Sequence, residues 1–355
     1  MLKTYILGPE DESEYEKFNR ITPNTLFWTS LNYRNFLKKI LPESETDYLI
    51  VKENNKIVGA LPTFLHDGKY GIVINSLPFF GSNGGIIVDQ KHPQVNVIKH
   101  LLLNAMHKLA SERKAVTTTI ITNPFIPDDI KFLDTYANNT LIDERIGQIK
   151  ELPEKDIKKE LIEIALMSSL HQKTRNMVRK GKKFNFKVIK SNNPKDFETL
   201  FELHKSNLQA IGGHFKTLST FEAIRTTFVP ESDYELYQAL DGKKIAAALL
   251  LLYYKDIVEY YTPAINNEYR SQQALSFLVF EAMVDASFRG YKYWNWGGTW
   301  TSQKGVYNFK SKWGTNDMVY RYYIREYTEN GTFRNYKRDK LLLNYPNYYL
   351  IPFMD

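Results

Sequence analysis

The chain has 355 residues, a formal net charge of +7 and no cysteine. This length favours two domains, and the 43% hydrophobic and 25% charged fractions are those of a folded protein rather than a disordered one. The lack of cysteine excludes a disulfide scaffold, zinc fingers with thiolate ligands, iron–sulfur clusters and a cysteine nucleophile. The mild basic excess leaves open an anionic partner: a phosphate-rich cofactor, a nucleotide-linked sugar, RNA or an acidic membrane surface.

The sequence carries no evident secretion or membrane-spanning signal. Its first residues, MLKTYILGPEDESEYE, lack the apolar stretch and the small-residue cleavage site of a signal peptide. The longest apolar run, Ile245 to Tyr254, is too short to cross a hydrocarbon core of about 30 Å as a helix. We therefore expect a cytoplasmic protein with no transmembrane segment, while peripheral contact with a membrane surface stays open.

Two segments of the chain share one pattern. Residues 48–74 and 234–261 each read as a strand, a tight turn, a long strand, a second turn and a third strand. Their first turns, Asn54-Asn55 and Asp241-Gly242, contain residue types that accept the positive φ angles of two-residue hairpins. A helix and then a strand follow each segment: helices at 93–113 and 271–289, and strands at 115–121 and 291–296.

The repeated order predicts an internal duplication, although two similar units can also arise by chance. The predicted fold class is α+β, with two tandem domains that each contain a twisted mixed sheet flanked by helices. A break in the pattern near 150–155 places the domains at 1–152 and 153–330. Residues 331–355, rich in Tyr and Lys, form a C-terminal tail, and the sequence leaves open whether this tail packs back on the first domain.

A basic segment opens the second predicted domain. Residues 171–190 contain eight Lys or Arg residues and no acidic residue, and Arg175 and Arg179 share one face of the predicted helix. One interpretation is a solvated helix face, and the other is a stripe that binds the phosphates of a donor, an acceptor or RNA. Only Phe184 and Phe186 interleave aromatic rings, so a dedicated platform for single-stranded nucleic acid is not indicated.

The turn before the second predicted helix bears on the choice of cofactor. A strand, a turn and a helix N-terminus can hold a pyrophosphate, because backbone N–H groups and the helix dipole face the anion. Here the turn AINNEYRSQQALSFL has no glycine, Arg270 is its single basic residue, and Ser271 is the expected N-cap. The side chains of this turn would crowd a pyrophosphate against the backbone, which weakens the case for a CoA site.

The segment WNWGGTWTSQKGVYNFKSKWG, residues 294–314, carries the main catalytic candidate. Lys310 lies among Phe309, Trp313 and Tyr307 on a predicted short helix. In a partly dry pocket of this kind, a lysine charge can stabilise the oxyanion that forms during acyl transfer. The alternative is a lysine that extends over an aromatic patch to reach solvent.

Other common catalytic patterns are missing from the sequence. The seven histidines do not form a metal-binding spacing, and no G-x-S-x-G element is present for a serine hydrolase. His214, in a turn after Gly212-Gly213, is the best placed histidine for a catalytic base. Attack by an amine on an activated ester or thioester needs only positioning, an oxyanion partner and an exit for the proton, so we expect no metal.

Several of these segments together resemble the FemABX-like branch of the GNAT (Gcn5-related N-acetyltransferase) superfamily. The resemblance covers about residues 27–314 and is carried by TRNMVRKGKKFNFKV, EAMVDASFRGYKYWNWGG and FKSKWG. It implies two tandem GNAT folds of a bacterial type. The best-known members transfer an aminoacyl group from aminoacyl-tRNA to a cell-wall precursor, and broader relatives are acetyltransferase-like enzymes that act on envelope or extracellular sugars.

The resemblance also implies site residues in the second domain. Phe309, Lys310 and Trp313 match the FK-x-x-(F/W)-G element of the family, whose lysine is held to stabilise the transition state. Arg175 and Arg179 match the Arg-rich helix that opens the second domain of the family. We therefore expect Lys310 to be catalytic with Phe309 as a wall of the site, and Trp313 and the two arginines to bind substrate.

The match is looser in the first domain. Asp89, which ends the stretch GGIIVD, resembles a family acid that contacts the acceptor amine, and Tyr33 stands in place of a family Trp that holds a nucleotide-linked precursor. We add Arg270 as a further substrate-binding candidate. The long two-helix arm of the tRNA-using enzymes has no counterpart, because residues 197–228 read as short helices.

Three functional hypotheses follow. The first is an N-acyltransferase that passes an acyl or aminoacyl group to an amine of a cell-envelope peptide or sugar precursor. The second is an acetyl-CoA-dependent N-acetyltransferase that acts on a nucleotide- or lipid-linked amino sugar, and the third is a non-catalytic scaffold that binds RNA or an acidic partner through residues 171–190. The expected donor is aminoacyl-tRNA or acyl-CoA, and the expected partners carry phosphate, as a nucleotide-linked precursor, CoA or tRNA does.

Overall fold

The computed structural model describes residues 1–81, 83–155 and 158–352. Two units divide the chain: Met1–Ile146 together with Met318–Asp355, and Gly147–Asp317. Each unit combines helices with parallel and antiparallel strand pairs, so the predicted α+β class with mixed sheets is confirmed.

The first unit opens with two groups of strands around one long helix. In chain order its elements are β1 (Leu2–Ile6), α1 (Glu12–Ile21), α2 (Leu31–Ile40), β2 (Ser44–Thr46), β3 (Leu49–Glu53), β4 (Lys56–Leu61), β5 (Phe64–Gly68), β6 (Gly71–Asn75), β7 (Ile87–Val88), α3 (Val95–Glu112), β8 (Ala115–Ile121), α4 (Asp128–Tyr136) and β9 (Leu141–Glu151). β1, β3, β4 and β7 pair in that order, all antiparallel. β2, β5 and β6 are also antiparallel, whereas β6 and β8 are parallel and α3 connects them.

Helix α3 forms because its apolar side chains recur at helical spacing. Ile98, Leu102, Met106 and Leu109 lie on one face of the helix and are buried in the apolar core of the first unit. The same core contains Val51 and other side chains of the neighbouring strands. The helix thus covers the sheet as a connection between two parallel strands does.

The second unit also has one long helix that connects two parallel strands. Its elements are α5 (Lys159–Ser169), α6 (Gln172–Lys182), β10 (Lys187–Ser191), α7 (Pro194–Gln209), α8 (Leu218–Thr227), β11 (Tyr234–Asp241), β12 (Lys244–Tyr254), β13 (Ile257–Ile265), α9 (Ala274–Arg289), β14 (Tyr293–Trp300) and α10 (Lys304–Ser311). The strands pair in chain order from β10 to β14. The first three pairs are antiparallel, whereas β13 and β14 are parallel and α9 connects them.

Helix α9 carries apolar side chains on several faces because it packs against β11, β12 and β13 and against α5 and α6. Its buried residues include Ala274, Leu278 and Ala286. Neither α9 nor another helix of the described residues is both long enough and apolar enough to cross a membrane.

The chain then returns to the first unit through β15 (Asn316–Glu326) and α11 (Arg338–Asn344). Residues 322–326 of β15 pair antiparallel with residues 117–121 of β8. Further on, the Tyr345 hydroxyl donates to the carbonyl of Gly71 at 2.8 Å, and the backbone of Tyr349 exchanges hydrogen bonds of 2.7 and 2.8 Å with the Asn75 side chain. The tail therefore contacts the first unit, and its last part, 353–355, lies outside the described residues.

The predicted domain boundaries at 152/153 and 330 differ from these units. The second unit already begins at Gly147, because Gln148 hydrogen-bonds Thr299 and Leu152 belongs to the apolar core of the second unit. It ends at Asp317, because β15 pairs with a strand of the first unit. A continuous strand crosses each boundary, so the sequence has no linker-like stretch there from which the boundary could be predicted.

The second unit contains the predicted order of hairpin, strand, helix and parallel strand. In the first unit the predicted long strand is instead divided into β4 and β5, which pair in different groups of strands. Asn54 and Asn55 between β3 and β4 have φ angles of 49° and 65°, and Gly242 between β11 and β12 has a φ angle of 57°. Asp241 is not a turn residue, because it is the last residue of β11 and pairs with Lys244.

Candidate active site

β13 and β14 separate in the middle of the second unit. The described pairing joins only Ile257–Glu259 with Tyr293–Asn295, although β13 continues to Ile265 and β14 to Trp300. Two parallel strands that stop pairing while both continue must leave a wedge between them. The carboxyl ends of the strands border this wedge, where α/β proteins commonly form their sites.

Lys310 of α10 reaches the end of β14. Its side chain is 8% exposed, and Nζ donates to the carbonyls of Gly297 at 3.3 Å and Gly298 at 3.0 Å and to the Thr299 hydroxyl at 2.9 Å. All three acceptors are neutral oxygens. Burial lowers the pKa of Lys310 to about 8, because the charged form loses its hydration. The ammonium is thus a positive charge that no carboxylate in these three bonds neutralises.

Aromatic rings wall the same position. Trp313 is fully buried, and its ring lies 5.2 Å from that of Trp296. Phe309 stands edge-on to Trp296 at 5.9 Å and remains 37% exposed. Lys310 is buried beside this ring cluster in the sequence, while Phe309 keeps contact with solvent. The structure therefore brings together the three residues that the FK-x-x-(F/W)-G element predicts, and Lys310 does not extend to solvent over the rings.

Glu259 is a further candidate that no sequence motif marks. It lies on β13 at the last paired position, opposite Asn295, and is 3% exposed. Its Oε1 has no hydrogen-bond partner among the described residues, and the Asn295 side chain hydrogen-bonds the carboxyl group. Burial raises the pKa of Glu259 to about 8. A single acidic residue within the apolar strand IVEYYTPAI was the available signal for it.

Asn207 of α7 occupies the edge of β13 farther along the wedge. Its side-chain amide donates to the carbonyl of Ile265 at 2.8 Å and accepts from the Ile265 N–H at 2.8 Å. This pair of bonds imitates a neighbouring strand. The backbone groups of Ile265 are therefore already satisfied.

Arg175 and Arg179 lie on α6 and line a groove of about 800 Å³ in the second unit. The other lining residues come from α5 and α9: Glu160, Glu163, Ile164, Met167, Ser168 and Phe280. Arg175 also donates to the carbonyl of Leu170 at 2.6 Å, whereas Arg179 is exposed. The groove combines cations, carboxylates and an apolar floor, and the two predicted arginines share it.

The rest of the basic segment is partly neutralised. Lys182 forms ion pairs with Glu163 at 2.6 Å and Glu281 at 3.5 Å, and Lys190 pairs with Asp285 at 2.8 Å. Lysines on the remaining surface of this segment are exposed: Lys173, Lys180, Lys183 and Lys187. Acidic side chains therefore neutralise some of the positive charges of the segment, and the other charges face solvent.

Arg270 lies near the start of α9, and its Nη2 donates to the Asn267 side chain at 3.0 Å. The helix begins at Ala274 rather than at 271, so the predicted N-cap role of Ser271 is wrong. The reason is Gln273, whose φ angle of 62° is left-handed, so that the helix can only start after it.

Two predicted residues belong to the first unit. Tyr33 is fully buried, and its ring packs against Phe27, Trp28 and Phe36. In this structure its ring has packing contacts and no access to solvent. Asp89 follows β7 and accepts a hydrogen bond from the backbone N–H of Lys91 at 2.9 Å, so it caps a turn.

The histidines offer little to the site. His214 is exposed in the segment between α7 and α8. His204 is buried and accepts from the backbone N–H of Lys216 at 3.3 Å, and its burial lowers its pKa to about 4. Within the part of the chain that the structure describes, no group of three or more metal-binding side chains is assembled.

The second unit matches a known family model. Residues 167–311 match the acetyltransferase (GNAT) domain. This range contains β13, α9, β14 and α10, and hence Glu259 and Lys310. No curated protein sequence matches the chain.

Several solved structures have the same fold. FemX is 15% identical with a TM-score of 0.71, and the alignment covers 90% of this chain and 96% of FemX. A tandem GNAT protein from the clavulanic acid biosynthesis pathway is 12% identical with a TM-score of 0.55, over 92% of this chain and 98% of that one. The C-terminal domain (DUF2156) of a putative lysylphosphatidylglycerol synthetase from Agrobacterium fabrum is 11% identical with a TM-score of 0.57, over 96% and 98%.

At these identities the likeness concerns the fold. It extends over nine tenths or more of each chain, and the GNAT domain match falls on the unit that contains Lys310. The predicted resemblance is therefore confirmed in the fold: the chain has the tandem GNAT fold that FemX also has, and the GNAT domain at residues 167–311 supports an acyltransferase.

Proposed function

We propose that the protein is a cytoplasmic N-acyltransferase that passes an acyl or aminoacyl group to an amine of a cell-envelope peptide or sugar precursor. The observation that carries this proposal is the buried ammonium of Lys310 beside the wedge between β13 and β14. The fold shared with FemX and with a putative lysylphosphatidylglycerol synthetase supports the aminoacyl form of the reaction.

The site residues suit a direct transfer. The amine nitrogen attacks the acyl carbonyl, an N–C bond forms, and negative charge develops on the carbonyl oxygen. The charge of Lys310 stabilises this oxyanion in a poorly hydrated site, where such an interaction is strong. Glu259 is our candidate to accept the proton that the amine loses; the C–O or C–S bond to the donor then breaks, and the leaving oxygen or sulfur takes up that proton to depart as the alcohol or thiol.

Two features favour an aminoacyl ester over CoA as the donor. CoA contains an extended arm with amide groups, and such an arm can bind a free strand edge through backbone hydrogen bonds. At Ile265 the backbone N–H and carbonyl are already bonded to the side chain of Asn207. The turn before α9 also presents bulky side chains where a pyrophosphate would need bare backbone. We assign the phosphates of the donor or of a nucleotide-linked acceptor to Arg175 and Arg179.

A second candidate is acetyl-CoA-dependent N-acetylation of a nucleotide- or lipid-linked amino sugar. The observation in its favour is the match of residues 167–311 to the acetyltransferase domain. The two candidates share Lys310 and differ in the donor.

Native mass spectrometry of freshly purified protein, followed by transfer assays, tests the proposal. A retained tRNA, or transfer from labelled aminoacyl-tRNA to an amine-bearing precursor, supports the first candidate, whereas a retained CoA supports the second. Absence of transfer from either donor to any amine, with an intact fold, would contradict an acyltransferase.

A further inference from the structure

The hydrogen bonds of Lys310 leave its ammonium fully occupied. An ammonium has three N–H donors, and Lys310 meets three acceptors: two backbone carbonyls and one hydroxyl. Thr299 supplies that hydroxyl and forms the shortest of the three bonds, at 2.9 Å. It is also the only one of the three acceptors that belongs to a side chain, and therefore the only one that a substitution can remove without changing the backbone.

A second side chain fixes the direction of the Thr299 hydroxyl. Because lysine can only donate, Thr299 must accept from it and keeps its own proton for another partner. That partner is Oε1 of Gln148, at 3.4 Å. Gln148 lies on β9, is fully buried and belongs to the same unit as Lys310.

Gln148 is itself held at its other end. Its Nε2 donates to the carbonyl of Tyr307 at 3.3 Å and to the Thr315 hydroxyl at 3.5 Å. The carbonyl of Tyr307 cannot donate, so Nε2 must face it and Oε1 must face Thr299. The chain Gln148–Thr299–Lys310 therefore has one direction of donation, from the lysine towards the glutamine.

We propose that Thr299, oriented by Gln148, is a positioning residue that fixes the direction of the Lys310 ammonium and stabilises its charge. This inference rests on the proposed function of Lys310 in acyl transfer. The carbonyl oxygen of an acyl donor that enters the wedge can replace the carbonyl of Gly297 or Gly298 as an acceptor. Thr299 then still accepts its hydrogen bond from Lys310. The arrangement explains why a buried Gln occurs on β9, far from Lys310 in sequence.

Titratable groups near Lys310 could also change when Thr299 is substituted, so their own hydrogen bonds matter. Four of them lie on the neighbouring elements, and each is hydrogen-bonded elsewhere: Glu259 to Asn295, Lys150 to Ser169, Asp317 to Tyr307, and His171 to the backbone N–H of Lys173. None of these bonds involves Thr299. A substitution of Thr299 therefore acts on Lys310 first.

The test measures Lys310 directly and then measures turnover. Thr299→Val keeps the shape of the side chain and removes the acceptor, Thr299→Ser restores it, and Gln148→Met removes the second link. The titration midpoint of Lys310 is read by NMR of full-length protein labelled at the lysine ε-carbon, with Lys310→Met used to assign the signal. We expect Thr299→Val to lower this midpoint by about one pH unit, because a hydrogen bond to a charged group is lost.

Turnover across pH gives the second readout. In Thr299→Val the loss of activity at high pH should begin about one pH unit earlier than in the wild type, Thr299→Ser should recover the wild-type profile, and Gln148→Met should lie between them. An unchanged midpoint in Thr299→Val would overturn the positioning role. A shifted midpoint with an unshifted activity profile would uphold the role of Thr299 and contradict the proposed catalytic role of Lys310.

Discussion

The carboxyl group of Glu259 and the side-chain amide of Asn295 face each other at the last paired position of β13 and β14. The Oδ1 of Asn295 also accepts from the backbone N–H of Gly297 at 2.9 Å. The carbonyl of Gly297 in turn accepts from Lys310. Asn295 therefore connects the buried carboxyl group of Glu259 to the backbone segment that binds the ammonium of Lys310. Both ionisable groups of the site depend on this asparagine for their position.

Replacement of Lys310 tests the oxyanion role. Lys310→Met keeps the apolar stem of the side chain and removes the charge, so kcat should fall by about 10²–10³, the range seen when one oxyanion donor is lost. KM should change little, because the charge acts on the transition state more than on bound substrate. Steady-state kinetics with the native donor measures both constants.

The matched control for this variant is Lys304→Met. Lys304 lies on the same helix and is exposed, so the substitution makes the same change of charge away from the wedge. It should leave kcat within about twofold of wild type. Equal turnover of Lys310→Met and Lys304→Met would remove Lys310 from the mechanism.

The two buried ionisable groups predict a narrow pH profile. Transfer requires a charged Lys310, whose burial lowers its pKa to about 8, and an ionised Glu259, whose burial raises its pKa to about 8. Activity should therefore rise towards pH 8 and fall above it. Lys310→Arg should retain charge and lose the falling limb, whereas Glu259→Gln should lose the rising limb. A profile that is flat between pH 7 and 9 would contradict both assignments.

The sequence predicts the part of this site that local motifs encode. Phe309, Lys310 and Trp313 lie within one helical turn of one another, so a short motif is sufficient to place them together. Glu259 and Gln148 come from strands that are distant in the chain, and only the sheet topology brings them to β14. Tyr33 shows how little one aromatic residue decides, since an aromatic residue in a substrate-binding position of the family is also a good core residue, and here Tyr33 is buried.

The backbone conformation of Gly314 and the atoms around it both disfavour a side chain at this position. Its φ angle is 72°, and an added Cβ would lie 2.4 Å from the carbonyl oxygen of Ser169. Gly314→Ala should therefore lower the free energy of unfolding by about 3 kcal/mol, with strain and a steric clash combined. Urea denaturation measures the change.

Gly297 is the matched comparison for Gly314. Its φ angle is 71°, and among the described residues no atom lies within 4 Å of an added Cβ. Gly297→Ala should thus carry the backbone strain alone, about 1 kcal/mol. A loss of stability at Gly297 as large as that at Gly314 would mean that backbone conformation, and not the contact with Ser169, decides the effect.

Burial of Glu259 also predicts how stability depends on pH. The unfolded chain releases the Glu259 proton near pH 4.5, whereas the folded protein retains it up to about pH 8. The unfolded state therefore binds fewer protons within this window, and stability should fall with rising pH by up to about 1.4 kcal/mol per unit. Glu259→Gln removes this loss, so the variant should gain stability relative to wild type from pH 5.5 to 7.5, as measured by urea denaturation. Glu202→Gln on α7 is an exposed control, and an equal gain there would show that the effect does not come from burial.

Arg179 tests whether the groove on α6 binds phosphate. The side chain is exposed and lines the groove, so a phosphate can reach it without displacing a structural bond, unlike Arg175 with its bond to Leu170. Arg179→Glu should raise the KM for a phosphate-rich donor about tenfold, leave kcat nearly unchanged and reduce the slope of log KM against log salt by about one. Lys243→Glu, in the exposed turn between β11 and β12, makes the same change of charge away from the groove. If the two variants shift KM and the salt slope equally, the general charge of the protein attracts the donor, and the groove has no specific part in binding it.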